Sequence, residues 1–250
     1  MKLCQPGRQR LVNGWLLRVQ SLILPPSCVL CGERGQAPIL DLCRPCAQDL
    51  SLNLHACHQC AAPLAGPVAD ALICGRCLRQ PPRFDRAFVP FRYTYPLDQL
   101  IRAFKYRGIL SYGRVLGSLL AERLSARQMP TPELIVPVPL YPSRQRERGF
   151  NQASELARPI SQSLNVPFDE RLCRRIRATA DQTELDARSR RRNVRRAFEV
   201  TGKIGLRHVA VLDDVLTTGS TANEVTRVLK RAGVETVEIW AVARAQPANT

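Results

Sequence analysis

Residues 209 to 221 read Val-Ala-Val-Leu-Asp-Asp-Val-Leu-Thr-Thr-Gly-Ser-Thr, and this stretch decides how the carboxyl-terminal half of the chain is interpreted. The apolar run from His208 to Leu212 has the length and the β-branched content of a buried parallel strand. The segment from Ser220 to Ala232 has the 3.6-residue periodicity of a helix. We therefore expect the chain to reverse just past Leu212, through a turn that joins a strand to a helix.

The predicted turn carries the residue types of an anion site. Backbone N–H groups at a helix start lie at the positive end of the helix dipole and can bind a phosphate. Gly219 would let the backbone approach that phosphate closely, because it has no Cβ. Asp213 and Asp214 would be within reach of sugar hydroxyls or a magnesium-bound ribose, and we expect them to face a cavity rather than lie buried in ion pairs. Further hydroxyl donors come from Thr217, Thr218, Ser220 and Thr221.

Composition limits the classes of protein to which the chain can belong. With 250 residues, 45% of them hydrophobic, it is long enough for two domains with a real core. It lacks the unbroken run of about 18 apolar residues that a membrane-spanning helix needs. Residues 1–24 predict an amphipathic helix in which Arg18 and Gln20 interrupt any signal-peptide core. We therefore expect a cytoplasmic protein with no transmembrane segment.

The positive charge is strong and unevenly distributed. The formal net charge is +16, and ten arginines stand against three acids between Arg171 and Arg196. A short charge run is usually a solvated helix face, but so little compensation favours contact with a polyanion. The segment therefore predicts an anion-binding surface, with the solvated face as the alternative.

Eight of the ten cysteines form four Cys-x-x-Cys pairs. Two-residue spacing lets both sulfurs of a pair face one ion, and four thiolates complete a tetrahedral Zn²⁺ site. The sequence therefore predicts two structural zinc sites. Consecutive pairing is the simplest arrangement, and a cross-braced one stays open. The pairs are Cys28/Cys31, Cys43/Cys46, Cys57/Cys60 and Cys74/Cys77.

Disulfides and redox chemistry explain these cysteines less well than zinc does. Disulfides need an oxidising compartment, and nothing in the sequence directs export. A redox Cys-x-x-Cys motif occurs singly, beside a βαβ unit, rather than in four copies. With two zinc ions on eight thiolates, the formal charge of +16 falls to about +12, so the chain stays basic.

Pro81 and Pro82 mark a stiff boundary after the last cysteine pair. We divide the chain into an amphipathic helix at 1–24, a double zinc ribbon at 25–82 and an α/β domain at 83–250. Within the last of these, the pattern predicts a strand over Ala87 to Tyr93, helices over Leu97 to Tyr106 and Gly113 to Arg127, and a strand over Val234 to Val242.

The apolar segment from Leu134 to Leu140 predicts a strand that its prolines must end, because proline cannot donate to a sheet ladder. A basic loop should follow it, and Asn151 should cap the next helix. The expected fold class is an α/β domain with a mainly parallel sheet and its site at the strand ends. The arginines of the loop are Arg144, Arg146 and Arg148.

Taken together, these motifs resemble a known family. An apolar strand, two acids and Thr-Thr-Gly-x-Thr resemble the phosphoribosyl pyrophosphate (PRPP) signature of type I phosphoribosyltransferases. Val-Pro-Val-Pro-Leu at 136–140, Arg-Gly-Phe-Asn-Gln at 148–152, Ala-Thr-x-x-Gln-x-x-Leu at 178–185 and Arg-x-x-Asn-Val at 190–194 resemble the ComF family. The cysteine ribbons match that family as well. The alternative is a Rossmann-like or receiver-like strand whose acids serve another purpose.

The resemblance implies a role for each part of the candidate site. Asp213 and Asp214 would hold the ribose hydroxyls and Mg²⁺, the turn at 217–221 would hold the 5-phosphate, and the arginines after the first core strand would hold pyrophosphate. Thr179, Gln182 and residues 188–193 would belong to a mobile loop that closes over PRPP. Purine-salvage relatives carry an acid where this chain has Thr217, so hypoxanthine or guanine is not the expected acceptor.

Three functions are compatible with this reading. The first is a factor for DNA uptake or DNA utilisation that binds PRPP and single-stranded DNA and has DNA-uptake or recombination proteins as partners. The second is an active phosphoribosyltransferase with an unidentified acceptor. The third is a non-catalytic PRPP sensor. The first follows from the family resemblance together with the positive charge.

Overall fold

The computed structural model describes residues 26–35, 41–64, 66, 72–178, 194–202 and 204–245. They fall into two compact units, one up to Asp49 and one from Leu50 onward. The helix predicted at 1–24 and the loop residues Thr179, Gln182 and 188–193 lie outside the described residues. In the part of the chain that is described, every helix is too short or too polar to span a membrane.

In its described residues, 26–35 and 41–49, the first unit contains a short ribbon and one helix. Ser27 and Arg34 form an antiparallel bridge around the turn that carries the first cysteine pair. Helix α1 (Arg44–Gln48) begins directly after Cys43, with Pro45 in its first turn, where a missing N–H costs nothing. The ribbon and the helix each present one cysteine pair, so local chain geometry brings the two pairs together.

The second unit combines a further cysteine ribbon with an α/β domain. Its helices are α2 (Gly75–Arg79), α3 (Leu97–Arg107), α4 (Leu110–Ser125), α5 (Pro142–Arg148), α6 (Gln152–Leu164) and α7 (Ser220–Arg231). Its strands are β1 (Arg86–Phe88), β2 (Phe91–Arg92), β3 (Leu134–Pro137), β4 (Cys173–Arg175), β5 (Phe198–Val200), β6 (His208–Leu216) and β7 (Thr236–Arg244).

The main sheet is parallel and has the order β1-β7-β6-β3, with β2 also pairing with β7. The two central strands are nearly continuous apolar runs because helices cover both faces of the sheet. Separately, β4 and β5 form a two-stranded antiparallel ribbon. The fold class predicted from sequence, a mainly parallel α/β domain with an amino-terminal double zinc ribbon, is confirmed.

Successive residues of β6 and β7 point to opposite faces of the sheet. On one face, Val211 and Ile239 pack in one buried cluster with Val225 and Leu229 of α7. Residues of the opposite parity, such as Leu212 and Trp240, are also buried and lie on the other face, where α4 and α6 pack against each other and the sheet. The site region at the strand ends is thus held between two packed layers.

Several predicted boundaries were wrong. Strand β6 does not end at Leu212 but continues to Leu216, because β7 still pairs with its last residues. The strand predicted over Ala87 to Tyr93 is split into β1 and β2, which leave Pro90 between them without a ladder bond. The three arginines predicted in a loop lie instead on α5, whose first residue, Pro142, is well suited to a helix start.

Candidate functional site

The carboxyl end of β6 extends beyond its neighbour on one side. Strand β3 pairs with β6 only as far as Pro137, which lies opposite Leu212, and one more bond joins the Val138 N–H to the Leu212 carbonyl. Residues 213–216 therefore keep β7 as a ladder partner and lose β3. The two predicted acids lie in this overhang, where a parallel sheet of this class opens a crevice for ligands.

The two acids have different surroundings. Asp214 is only 5% exposed, whereas Asp213 is half-buried. The side chain of Asp213 accepts a hydrogen bond from the Asp214 N–H at 2.8 Å, and the side chain of Asp214 accepts one from the Val215 N–H at 2.8 Å. These local bonds orient both carboxylates beside the strand end.

Lys105 is the residue of this region that sequence reasoning missed. Its Nζ lies 3.0 Å from Oδ2 and 3.4 Å from Oδ1 of Asp214. The expectation that neither acid would be buried in an ion pair was therefore wrong for Asp214. Leu100, Ile101 and Phe104 are the buried residues of α3, and this burial pattern places Lys105 toward the end of β6. The sequence signal that could have predicted its role is a basic residue directly after this apolar stripe.

The charges of the three groups are coupled. Burial raises the pKa of Asp214, but the attraction of Lys105 outweighs this effect. The pKa of the Asp214 carboxyl therefore lies below its usual value, and the group stays ionised at neutral pH. Burial and the neighbouring Asp214 charge raise the pKa of Asp213 to about 7. Burial lowers the pKa of Lys105, and the two carboxylates more than restore it, so the ammonium stays charged. One cation thus faces two acids, of which one holds its proton near neutral pH.

The turn after the acids has the conformation of a helix start that needs glycine. Gly219 is the N-cap residue of α7, its φ is 75°, and it offers no side chain to cap the helix. A Cβ added there would meet the Phe84 ring only at 3.7 Å, so backbone conformation rather than space requires the glycine. The Ser220 N–H, at the start of α7, donates to the Thr218 hydroxyl oxygen at 3.4 Å, so a residue of the turn itself meets the helix start.

The hydroxyls of the turn are unequally placed. Thr218 and Ser220 are buried, and their hydroxyl oxygens lie 2.8 Å apart. Thr217 and Thr221 are half-buried. The two acids thus lie at the end of β6, and the five turn residues follow them directly, as the sequence predicts. Two of the four hydroxyls, those of Thr218 and Ser220, contact each other.

Among the three predicted arginines of α5, Arg148 has a contact with α3, the helix that carries Lys105. The Arg148 guanidinium lies 5.5 Å from the centre of the Tyr106 ring, next to Lys105 in the chain. Phe150, which follows α5, packs on Phe104 of α3, with ring centres 5.4 Å apart. Of the other two predicted arginines, Arg144 is half-buried and Arg146 is exposed.

The predicted N-cap of α6 is present. The side-chain oxygen of Asn151 accepts from the Ala153 N–H at 3.1 Å, and its amide donates to the Val138 carbonyl at 3.1 Å. The first of these bonds is the cap, and the second ties the start of α6 to the end of β3. The arginine helix is thereby held close to the strand ends.

The cysteines form two clusters in consecutive pairing. Cys28, Cys31, Cys43 and Cys46 form the first cluster, and Cys57, Cys60, Cys74 and Cys77 form the second; within each, all sulfurs lie within 4.8 Å of one another. The arrangement is therefore not cross-braced. Sulfurs of different pairs are 3.6 Å apart in the first cluster and 3.7 Å in the second. A tetrahedral Zn²⁺ with bonds of about 2.3 Å places its sulfurs about 3.8 Å apart, so both clusters fit zinc.

Backbone amides favour thiolates in both clusters. The Cys74 N–H donates to Sγ of Cys57 at 3.2 Å. Burial raises the pKa of Cys57, but backbone N–H donors outweigh it and lower the value to about 7. In the first cluster the same balance lowers the pKa of Cys28 to about 6. The pKa of Cys46 is raised by its hydrogen bond with Cys43, and that of Cys77 is raised by burial. One thiolate in each cluster is thus favoured before metal binds, and the geometry of all four sulfurs fits a structural zinc site.

Comparison with known proteins agrees with this geometry. A double zinc ribbon domain matches residues 19–78, and a phosphoribosyl transferase domain matches residues 146–250. Among solved structures, adenine phosphoribosyltransferase from Leishmania donovani is similar with a TM-score of 0.35 and 14% identity, over 64% of this chain and 82% of that one. The two domain matches define the class as a protein with an amino-terminal double zinc ribbon and a phosphoribosyl transferase domain.

Relatives define the family more closely. The DNA utilization protein YhgH of Salmonella typhi is 36% identical over 227 residues, which cover 89% of this chain and 99% of the relative. Competence protein F of Haemophilus influenzae is 37% identical over 227 residues, or 87% of this chain and 96% of the relative. The chain belongs to the ComF family.

Proposed function

We propose that this protein binds PRPP with Mg²⁺ at the carboxyl end of β6 and binds single-stranded DNA, in the uptake or utilisation of DNA. The observation that carries the first part is the uninterrupted order of two carboxylates in the overhang of β6, a glycine-dependent turn and the start of α7. Relatives named for competence and for DNA utilization support the second part. Cysteine clusters that fit zinc and whose members form no disulfides agree with a reducing cytoplasm.

The chemistry of the site suits a phosphorylated sugar. Asp213 and Asp214 would accept hydrogen bonds from the ribose hydroxyls, and the amides at 217–221 would donate to the 5-phosphate. Lys105 and Arg148 would supply positive charge on the side where pyrophosphate leaves. Mg²⁺, when bound, would neutralise the pyrophosphate charge. The residues thus divide between sugar, phosphate and pyrophosphate.

Calorimetric titration with PRPP and Mg²⁺ tests the first part. The double variant D213N/D214N should lose binding while keeping both zinc ions and the overall fold, because it replaces the two charged acceptors for the ribose, one of them the partner of Lys105, by neutral amides of the same shape. E122Q/E235Q is the matched control, since both glutamates are exposed and Glu235 lies before β7, at the opposite end of the sheet. Unchanged titration in the D213N/D214N variant would refute PRPP binding at this site.

A basic groove beside α7 supports the DNA part. Its open volume is about 360 Å³, and it is lined by Arg83, Arg227, Lys230 and Arg231. Arg227 pairs with Glu224 at 2.7 Å and Lys230 with Asp85 at 2.8 Å, so two of the four charges are compensated within the protein. The groove keeps an excess of positive charge, which suits a phosphodiester backbone.

Binding of a single-stranded oligonucleotide at increasing salt tests this part. Affinity should fall steeply with salt, and R231Q should reduce the slope of log K against log salt by about 0.7, the value for one phosphate contact. R123Q removes the same charge from α4, on the other face of the sheet, and should leave the slope unchanged. Binding that is insensitive to salt, or equal slopes in the two variants, would contradict the proposal.

A further inference from the structure

The second zinc cluster shares an interface with the turn at 217–221. We call this segment the phosphate turn, because the 5-phosphate is proposed to bind there. A cavity of about 40 Å³ lies between them. Cys60 and Cys77 line it on the ribbon side, and Thr218 and Gly219 line it on the turn side. Three of the four cysteines also belong to the buried cluster formed by the sheet and α7. The ribbon is thus packed onto the part of the domain where the 5-phosphate is proposed to bind.

Arg244, the last residue of β7, joins the two sides. It is 3% exposed, and its Nε donates to the Cys60 carbonyl at 3.1 Å. Its Nη1 lies 2.7 Å from the Leu216 carbonyl and 2.8 Å from the Ala245 carbonyl, and it also contacts the Thr217 carbonyl. A buried guanidinium needs such acceptors, so one side chain holds the cysteine knuckle and the entry of the turn together.

Arg76 makes a second link from within the knuckle itself. It stands between Cys74 and Cys77 on α2, and its Nη2 donates to the Thr218 carbonyl at 2.9 Å. The Arg76 residue as a whole is exposed, so this bond is made by a side chain lying along the surface. Two arginines thus bind three successive carbonyls of the turn, those of residues 216–218.

The held carbonyls orient the amides that a phosphate would use. A trans peptide is planar, and its N–H points opposite to its C=O. When the Thr217 and Thr218 carbonyls are drawn toward the arginines on the ribbon side, the N–H groups of Thr218 and Gly219 face away from the ribbon. The ribbon therefore acts on the turn through its backbone rather than by contact with a ligand.

We propose that the second zinc cluster positions the phosphate turn, with Arg76 and Arg244 as positioning residues, and that this zinc ion is needed for tight binding of the phosphorylated sugar. The proposal rests on the function proposed above for the turn. The second cysteine cluster and Arg76 are then part of the binding site for the phosphorylated sugar, and the zinc ion at this cluster preorganises amides that lie on the far side of the turn.

Arg76 allows a test that leaves the fold intact. R76M should weaken PRPP·Mg binding about three- to tenfold in calorimetric titration, because one charge-assisted bond to the turn is lost. R76K should recover part of that loss. R79M is the matched control: it lies on the same helix, is also exposed, and removes the same charge. Equal affinities of R76M and R79M would overturn the role of Arg76.

Hydrogen exchange separates this proposal from PRPP binding itself. In C74S, which removes one ligand of the second zinc, amides 216–222 should exchange faster than in the wild type and PRPP affinity should fall more than tenfold. C46S removes a ligand of the first zinc and should accelerate exchange at 216–222 less. If the wild type does not bind PRPP, the proposed function fails. The hydrogen-exchange measurement still tests whether the second zinc cluster orders the turn. Equal exchange at 216–222 in wild type and C74S would refute it.

Discussion

The two zinc clusters have the same ligands and nearly the same spacing, with 11 residues between the pairs of the first and 13 between those of the second. Their surroundings differ. The hydrogen bonds described around the first cluster join residues 26–49 to one another. The second cluster is part of the core of the α/β domain, and its knuckle is bonded to the phosphate turn. One motif therefore serves as a local staple in one unit and as a structural part of a candidate binding site in the other.

Loss of one buried thiolate from each cluster should show the greatest difference. C77S should lose one zinc and destabilise the α/β domain by at least about 3 kcal/mol, because zinc binding contributes directly to folding and Cys77 lies in the domain core. C43S should also lose one zinc, with little change in exchange of the β6 and β7 amides. Metal analysis and hydrogen exchange measure both effects. Similar protection of those strands in the two variants would contradict the comparison.

Loss of the ion pair between Lys105 and Asp214 should have the second-largest effect on stability. Lys105 to methionine leaves Asp214 buried without its cation and should destabilise the protein by about 2 kcal/mol. Adding D214N removes the uncompensated charge and should recover most of that loss. Urea unfolding of the single and double variants measures the coupling. Additive losses would mean that the two groups do not act as a pair.

The pH dependence of PRPP binding should follow the acid pair. With the pKa of Asp213 raised to about 7 by burial and by Asp214, the pair holds a proton below that pH. PRPP should bind more tightly when both carboxylates are ionised and should therefore expel this proton, so affinity should rise up to about tenfold per pH unit below 7 and level off above it. The phosphates of PRPP titrate as well, and D213N, which keeps only their contribution, is the control. A profile with the same slope in D213N would exclude Asp213 as the group responsible.

The smallest expected effect compares one glycine from each region. Gly32 and Gly219 have φ of 78° and 75°, and neither site is crowded, so alanine should cost each unit about 1 kcal/mol through backbone conformation alone. Only G219A should also weaken PRPP binding, because it distorts the start of α7. Thermal unfolding and calorimetric titration of G32A and G219A measure this. Weakened PRPP binding in G32A would contradict the prediction that only the turn at Gly219 takes part in binding.

Local patterns were sufficient for much of the fold and of the site. Periodicity placed α3 and α7 closely, because an apolar stripe reports the face that a helix buries. The strand-turn-helix around Gly219 could be inferred because the turn needs a residue that tolerates positive φ. The extent of β6 could not, since its last residues stay in the sheet only through β7.

Three further features of the structure differ from the sequence prediction or are absent from it. The three arginines after β3 were assigned to a loop, although Pro142 is a helix-start signal that could have been used. Lys105 was missed because its partner, Asp214, lies 109 positions away in the chain. Arg76 and Arg244 were missed for the same reason, since their acceptors are backbone carbonyls that leave no trace in residue type.

The zinc ligands, the fold class, the family and the candidate acids could be inferred from the sequence, because each depends on residue types at short, regular spacing. Only the fold shows which cysteine pairs share a cluster, that Asp214 pairs with Lys105, and that the second ribbon is bonded to the turn after β6. Those properties arise where the ends of parallel strands and the cysteine knuckle converge in space, and contacts between residues distant in the chain are set by packing rather than by local pattern.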